Sequence, residues 1–171
     1  MIRALFAALT GEPGRGQALF QAAVAEARQP QWYMEGAVPD TVDGRFAVLA
    51  TVTALILVRL ESEGDKGESV SVALTERFVE ALDAEVREMG VGDPTLGKQV
   101  RKLVGALAGR VERWRSVVAS DDGWLAETER SLYRDEALDA QVVRHSEAAL
   151  VALWKRLAAT SLDDIVAGRI A

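Results

Sequence analysis

Few side chains in this chain could do chemistry, and their spacing argues against catalysis. Histidine occurs once, at His145, and cysteine does not occur at all. A lone imidazole works as a general base only beside a nucleophile that it deprotonates and a group that orients it. His145 stands on a helical stretch with Arg144 and Glu147 and has no nucleophile motif around it, so it reads as a surface or core histidine. The acids fall in short clusters, Asp121-Asp122, Asp135-Glu136-Asp139 and Asp163-Asp164, which is the pattern of helix caps and first turns. A chain without thiolates or clustered imidazoles cannot by itself supply a structural zinc site or a disulfide frame. Gly11-Glu12-Pro13-Gly14-Arg15-Gly16 has the glycines of a phosphate loop but lacks the Gly-Lys-Ser/Thr that would hold a nucleotide. It reads as a turn. The expectation is a protein with no catalytic residues, no metal and no cofactor.

Charge is the stronger cue. The 171-residue chain carries a net charge of −6. Residues 94–119 hold Lys98, Arg101, Lys102, Arg110, Arg113 and Arg115 against Glu112, a local +5 in an otherwise acidic protein. On a helix, Lys98, Arg101, Lys102 and Gly105 share one face. With Arg110, these cations are candidates for contact with an anionic surface, either lipid headgroups or the phosphates of ribosomal RNA. The alternative is a solvated face paired with the acidic helix before it. DNA is not among the expected partners.

The elements that must position these residues are helices. Alanine, leucine, valine, glutamate and arginine dominate and proline is scarce, a mixture suited to packed helices. The length fits one domain able to bury a core. We expect an all-α fold, a single compact domain of about six to eight helices over residues 1–171. A helix from Ala18 should stop before Pro30. Another should run from about Thr41 to Glu61, and its apolar run from Phe46 to Val58, 13 residues, is short of the roughly 20 needed to span a bilayer. Ser62 to Ser69, with two glycines and four charges, reads as an exposed loop. Val72, Leu74, Phe78, Val79, Leu82, Val86 and Met89 then recur at helical steps, with Gly90 as the left-handed terminator. Asp93 should cap the basic helix, with Pro94 at its first position. Leu96, Val100, Leu103, Leu107, Val111, Trp114 and Val118 form its apolar stripe. Gly105 and Gly109, each costing roughly 1 kcal/mol against alanine, leave a notch for a close helix crossing or for a client helix. Further helices are expected over Gly123–Tyr133, Leu138–Thr160 and Leu162–Ala167. Met1 to Leu9 makes a poor signal peptide, so the chain reads as cytoplasmic, with a peripheral position at the inner face of the membrane as the other option.

Rare residue types crowd into Trp32-Tyr33-Met34-Glu35-Gly36-Ala37-Val38-Pro39-Asp40-Thr41-Val42-Asp43-Gly44-Arg45-Phe46. The segment must turn the chain and open a helix. Asp40 or Thr41 can cap that helix, Asp43 meets the positive end of its dipole, and Arg45 can pair with Asp40 or Asp43. Trp32 and Tyr33, with Val38 and Pro39, are candidates for holding an apolar partner, because exposed aromatics dominate binding hot spots. The other reading has the two aromatics plugging the core beside Phe46.

This segment and a second one, Glu88-Met89-Gly90-Val91-Gly92-Asp93 with the basic helix after it, together resemble the ubiquinol-cytochrome c chaperone family. The resemblance runs from about Ala18 to Trp114, and the C-terminal third lies outside it. Pro94 or Thr95 stands where the family more often has an apolar residue. The resemblance implies an assembly chaperone for newly made cytochrome b and respiratory complex III. In that reading Trp32, Tyr33, Val38, Pro39, Gly105 and Gly109 are the client-contact candidates. Asp40, Asp43, Gly44, Arg45, Phe46, Gly90, Gly92 and Asp93 make the structural motif. The competing function is a ribosome- or RNA-binding module working through the basic helix.

Overall fold

The computed structural model describes residues 14–88, 93–134 and 139–170. Among the described residues seven α-helices follow in order: α1 (Gln17–Ala27), α2 (Val42–Glu61), α3 (Gly64–Glu88), α4 (Asp93–Ser120), α5 (Trp124–Tyr133), α6 (Ala140–Ala159) and α7 (Leu162–Val166), with a 3-10 turn over Pro30–Trp32 between α1 and α2. No strand occurs among the described residues, and the expected all-α class is what the protein has. Gly90 and Gly92 lie outside the described residues, and so does the side chain of Asp93. Helix α4 begins at Asp93.

Helix α2 is the axis of the molecule, packed by α1, α3, α4, α5 and α6. Its middle, from Thr51 to Val58, is buried on every side. A helix surrounded by others has no polar face to keep wet, which is why its sequence is apolar almost without interruption. Among the described residues, no helix is long and apolar enough to cross a membrane. Around α2 the amphipathic helices turn in Leu19 and Ala23 of α1, Leu74 and Phe78 of α3, Leu107 and Trp114 of α4, Leu132 and Tyr133 of α5, and Leu150, Leu153 and Leu157 of α6. Trp114 and Trp124 meet with ring centroids 5.4 Å apart and planes at 51°, the tilted arrangement that aromatic quadrupoles favour. The C-terminal helices thus furnish core as fully as the N-terminal ones.

Three sequence expectations are corrected here. Ser62–Ser69 is not a loop: α3 starts at Gly64, leaving only Ser62 and Glu63 between two long helices. Gly64 takes a left-handed φ of 58°, and a β-carbon on buried Gly67 would collide with the Leu60 carbonyl. These glycines permit a tight antiparallel return; they do not mark flexibility. Val72 is 52% exposed while Ala73 and Leu74 turn inward, because residues two apart on a helix lie on nearly opposite sides, about 200° apart, and Leu74 shares the buried face with Phe78 and Leu82. Gly105 and Gly109 are not a helix crossing among the described residues: around a β-carbon at Gly105 none of them comes within 4 Å, and at Gly109 only the end of Arg113 does.

Candidate functional site

The junction from Trp32 to Phe46 is assembled from the backbone outward. Trp32 is fully buried and its indole N–H donates to the Glu26 carbonyl at 2.8 Å. Tyr33 is half-buried and donates to the Ala27 carbonyl at 2.8 Å. Both rings therefore satisfy the open C-terminal carbonyls of α1, which a helix end otherwise leaves to water. Burial raises the Tyr33 phenol above its ordinary value. The chain then folds back, with the Gly36 N–H on the Gln31 carbonyl at 2.8 Å and the Val38 N–H on the Trp32 carbonyl at 3.0 Å. Ala37 accepts a left-handed φ of 47° to make the bend. Val38 is buried and Pro39 is exposed.

Of the two possible caps for α2, Thr41 is the one used: its hydroxyl accepts from the Gly44 N–H at 3.2 Å. Asp40 pairs with Arg45 at 2.6 Å, both largely exposed, and the guanidinium holds the Asp40 carboxyl below its usual range. Asp43 sits in the first turn of α2 and reaches Arg134 at 3.3 Å. Gly44 is buried because a β-carbon there would strike the Pro39 carbonyl. Only glycine lets the Val38–Pro39 strand lie across the first turn of the helix. Phe46 packs against Phe78 at 6.1 Å.

Tyr133 of α5 and Ser146 of α6 complete the junction, and no sequence signal pointed to them. The Tyr133 hydroxyl donates to the Gly36 carbonyl at 2.5 Å and lies 2.6 Å from the Ser146 hydroxyl. A β-carbon on Gly36 would fall 2.5 Å from that same Ser146 oxygen. The outer surface of the junction carries the exposed apolar side chains Met34 (75%) and Val42 (49%). Of the client-contact candidates here, Trp32 and Val38 are thus interior supports, Tyr33 is half open, and Pro39 faces solvent.

Helix α4 divides into two electrostatic halves. In its C-terminal half, Arg113 binds Glu127 at 2.8 Å and Arg115 binds Glu61 at 2.7 Å. Arg110 does not belong to the basic surface: it is buried, donating to the Ser131 carbonyl at 3.0 Å with its guanidinium 5.8 Å from the Phe46 ring centroid. A cation in the core without a carboxylate needs such carbonyl and ring partners. Burial, with Arg113 adding to it, pushes Arg110 down to about 10. In the N-terminal half, Lys98, Arg101 and Lys102 are exposed and make no ion pair among the described residues. Gly105 is exposed beside them and Gly109 follows one turn on.

A polar cleft of about 420 Å³ between α4 and α5 is lined by Arg113, Ser116, Glu127 and Arg130, among others. Glu127 is already committed there to Arg113 and to the Ser131 hydroxyl. His145 is half-buried, and its Nε2 has no hydrogen-bond partner among the described residues. No group of three or more potential metal ligands occurs among the described residues.

Comparison with known proteins places this architecture. The crystal structure of the Cbp3 homolog from Brucella abortus superposes with a TM-score of 0.80 at 26% identity, covering 100% of this chain and 96% of that one. None of the curated proteins matches the chain. The sequence model of the family described as ubiquinol-cytochrome C chaperone matches residues 35–171. That match takes in the C-terminal third, beyond the resemblance that ends at about Trp114, and with it Tyr133 and Ser146. The chain belongs to the ubiquinol-cytochrome C chaperone family.

Proposed function

We propose that the protein is a non-catalytic assembly factor that holds newly made cytochrome b until it enters ubiquinol–cytochrome c reductase. The observation that carries this reading is membership of the chaperone family over residues 35–171. The junction supports it. Met34 and Val42 stand exposed on a base fixed by the Tyr133–Gly36 bond, so an apolar client segment would meet a preorganised surface, which costs less ordering on binding than a flexible loop. Pro39 and the open edge of Tyr33 widen that surface.

The test is genetic and biochemical. Deleting the gene should deplete assembled complex III and haem-loaded cytochrome b while leaving the cytochrome b messenger unchanged. Normal complex III under conditions that require respiration would sink the reading. The double variant Met34→Glu, Val42→Glu changes only exposed positions and should fold normally, yet fail to restore complex III or to capture cytochrome b fragments. Full restoration by that variant would move the client surface away from the junction.

A further inference from the structure

We infer that the N-terminal half of α4 is a docking surface for an anionic phospholipid bilayer, with Lys98, Arg101 and Lys102 as its contacts. The inference rests on charge and shape and does not require the client assignment. Other cations of α4 are spent inside the molecule, on Glu127, on Glu61 and Glu112, or, for Arg110, on backbone carbonyls. These three are exposed and bind no acid among the described residues. No acid of the neighbouring helix α3 forms an ion pair with them among the described residues, and two of those acids are engaged elsewhere, Asp83 with Arg87 and Glu80 with Arg77. A concentrated positive spot therefore survives on a protein of net charge −6.

The shape of the face favours a plane over a strand. Lys98, Arg101, Lys102, Gly105 and Gly109 fall on one side of α4, opposite its buried stripe, along about 16 Å of helix. At Gly105 nothing stands within 4 Å of where a side chain would begin, so the helix backbone can lie close against a flat surface. Recognition of single-stranded RNA by base stacking uses aromatic platforms, and the only aromatic residue of 94–119 is Trp114, which is fully buried, so an RNA could meet this face through its phosphates alone. The remainder of the chain, at −11, would also repel a polyanion that extended past three cations. A bilayer touches the molecule at a tangent and meets only the spot. Three basic residues near a surface of anionic lipid strengthen binding by about a hundredfold in total. That is a reversible attachment.

The test is sedimentation of the full chain with vesicles of phosphatidylcholine containing about 30% phosphatidylglycerol, and with phosphatidylcholine alone. The parent should bind only the anionic vesicles and be released by about 0.5 M salt, which shortens the screening length to a few ångströms. The variant Lys98→Glu, Arg101→Glu, Lys102→Glu should lose binding at least tenfold. The charge-matched variant Lys66→Glu, Arg144→Glu, Lys155→Glu alters exposed positions elsewhere and should lose much less. Glutamine at the three α4 positions gives the same answer without charge reversal should the first variant fold poorly. Equal loss in the two reversed variants, parental binding by the α4 variants, or no binding by the parent would each overturn the inference. So would tighter binding of the parent to ribosomal RNA than to vesicles at equal phosphate concentration.

Discussion

Tyr133 is the single residue on which the junction most depends. Its hydroxyl donates to the Gly36 carbonyl inside the protein and accepts from the Ser146 hydroxyl. Replacing it with phenylalanine keeps the ring and leaves a buried carbonyl unpaired, so stability in urea should fall by about 1–3 kcal/mol. Titration gives a second readout. Burial raises the Tyr133 phenol above its ordinary value, whereas in the unfolded chain tyrosine ionises near pH 10. The unfolded state loses its proton first, so the stability contributed by this group is intact below about pH 10 and declines above it. Tyr133→Phe should make the alkaline loss of stability shallower. An equally steep loss would show that Tyr133 does not govern the alkaline limb.

At the scale of elements, the glycines separate scaffold from surface. Gly67→Ala should lower stability by about 1–3 kcal/mol, because the new methyl meets the Leu60 carbonyl in a well-packed helical return. Gly105→Ala should do the opposite and raise stability by about 1 kcal/mol, since helix propensity improves and no neighbour is displaced. Thermal unfolding of the two variants checks the signs. A destabilised Gly105→Ala would mean that something packs against the α4 flank in the folded protein. Both glycines sit inside helices, Gly67 in α3 and Gly105 in α4, so secondary structure alone does not distinguish them. Their roles follow from what lies across the gap.

The molecule as a whole closes through its C-terminal helices. Arg59 near the end of α2 donates to the carbonyls of Leu157 and Thr160, each at 3.0 Å, and Arg156 pairs with buried Glu26 at 3.0 Å. Leu150, Leu153, Leu157 and Ile165 complete the core around α1 and α2. A chain ending at Ser120 would bare the sides of α2 that α5 and α6 cover and strip Tyr133 from the junction. It should lack a cooperative thermal transition and bind a hydrophobic dye. A cooperatively folding fragment would show instead that the N-terminal helices are a unit on their own.

The sequence by itself determined the helical class, most helix limits, the cap at the start of α2 to within one residue, and the basic character of α4. All of these depend on neighbours a few residues apart, where periodicity and capping chemistry act. The family likeness was legible for a similar reason, in the runs around Asp40 and Gly90. What the tertiary structure decided is which of these residues face outward. Trp32 and Val38 look like binding residues by type but lie in the core, while Arg110 looks like a surface cation and is held by Ser131 and Phe46. Met34 and Val42, unremarked in the sequence, are the exposed apolar side chains of the junction. Gly36 and Tyr133 are 97 residues apart, and no local pattern can encode their meeting. Burial and pairing are properties of the space between elements, and that space is fixed only when α2 is enclosed by the helices around it.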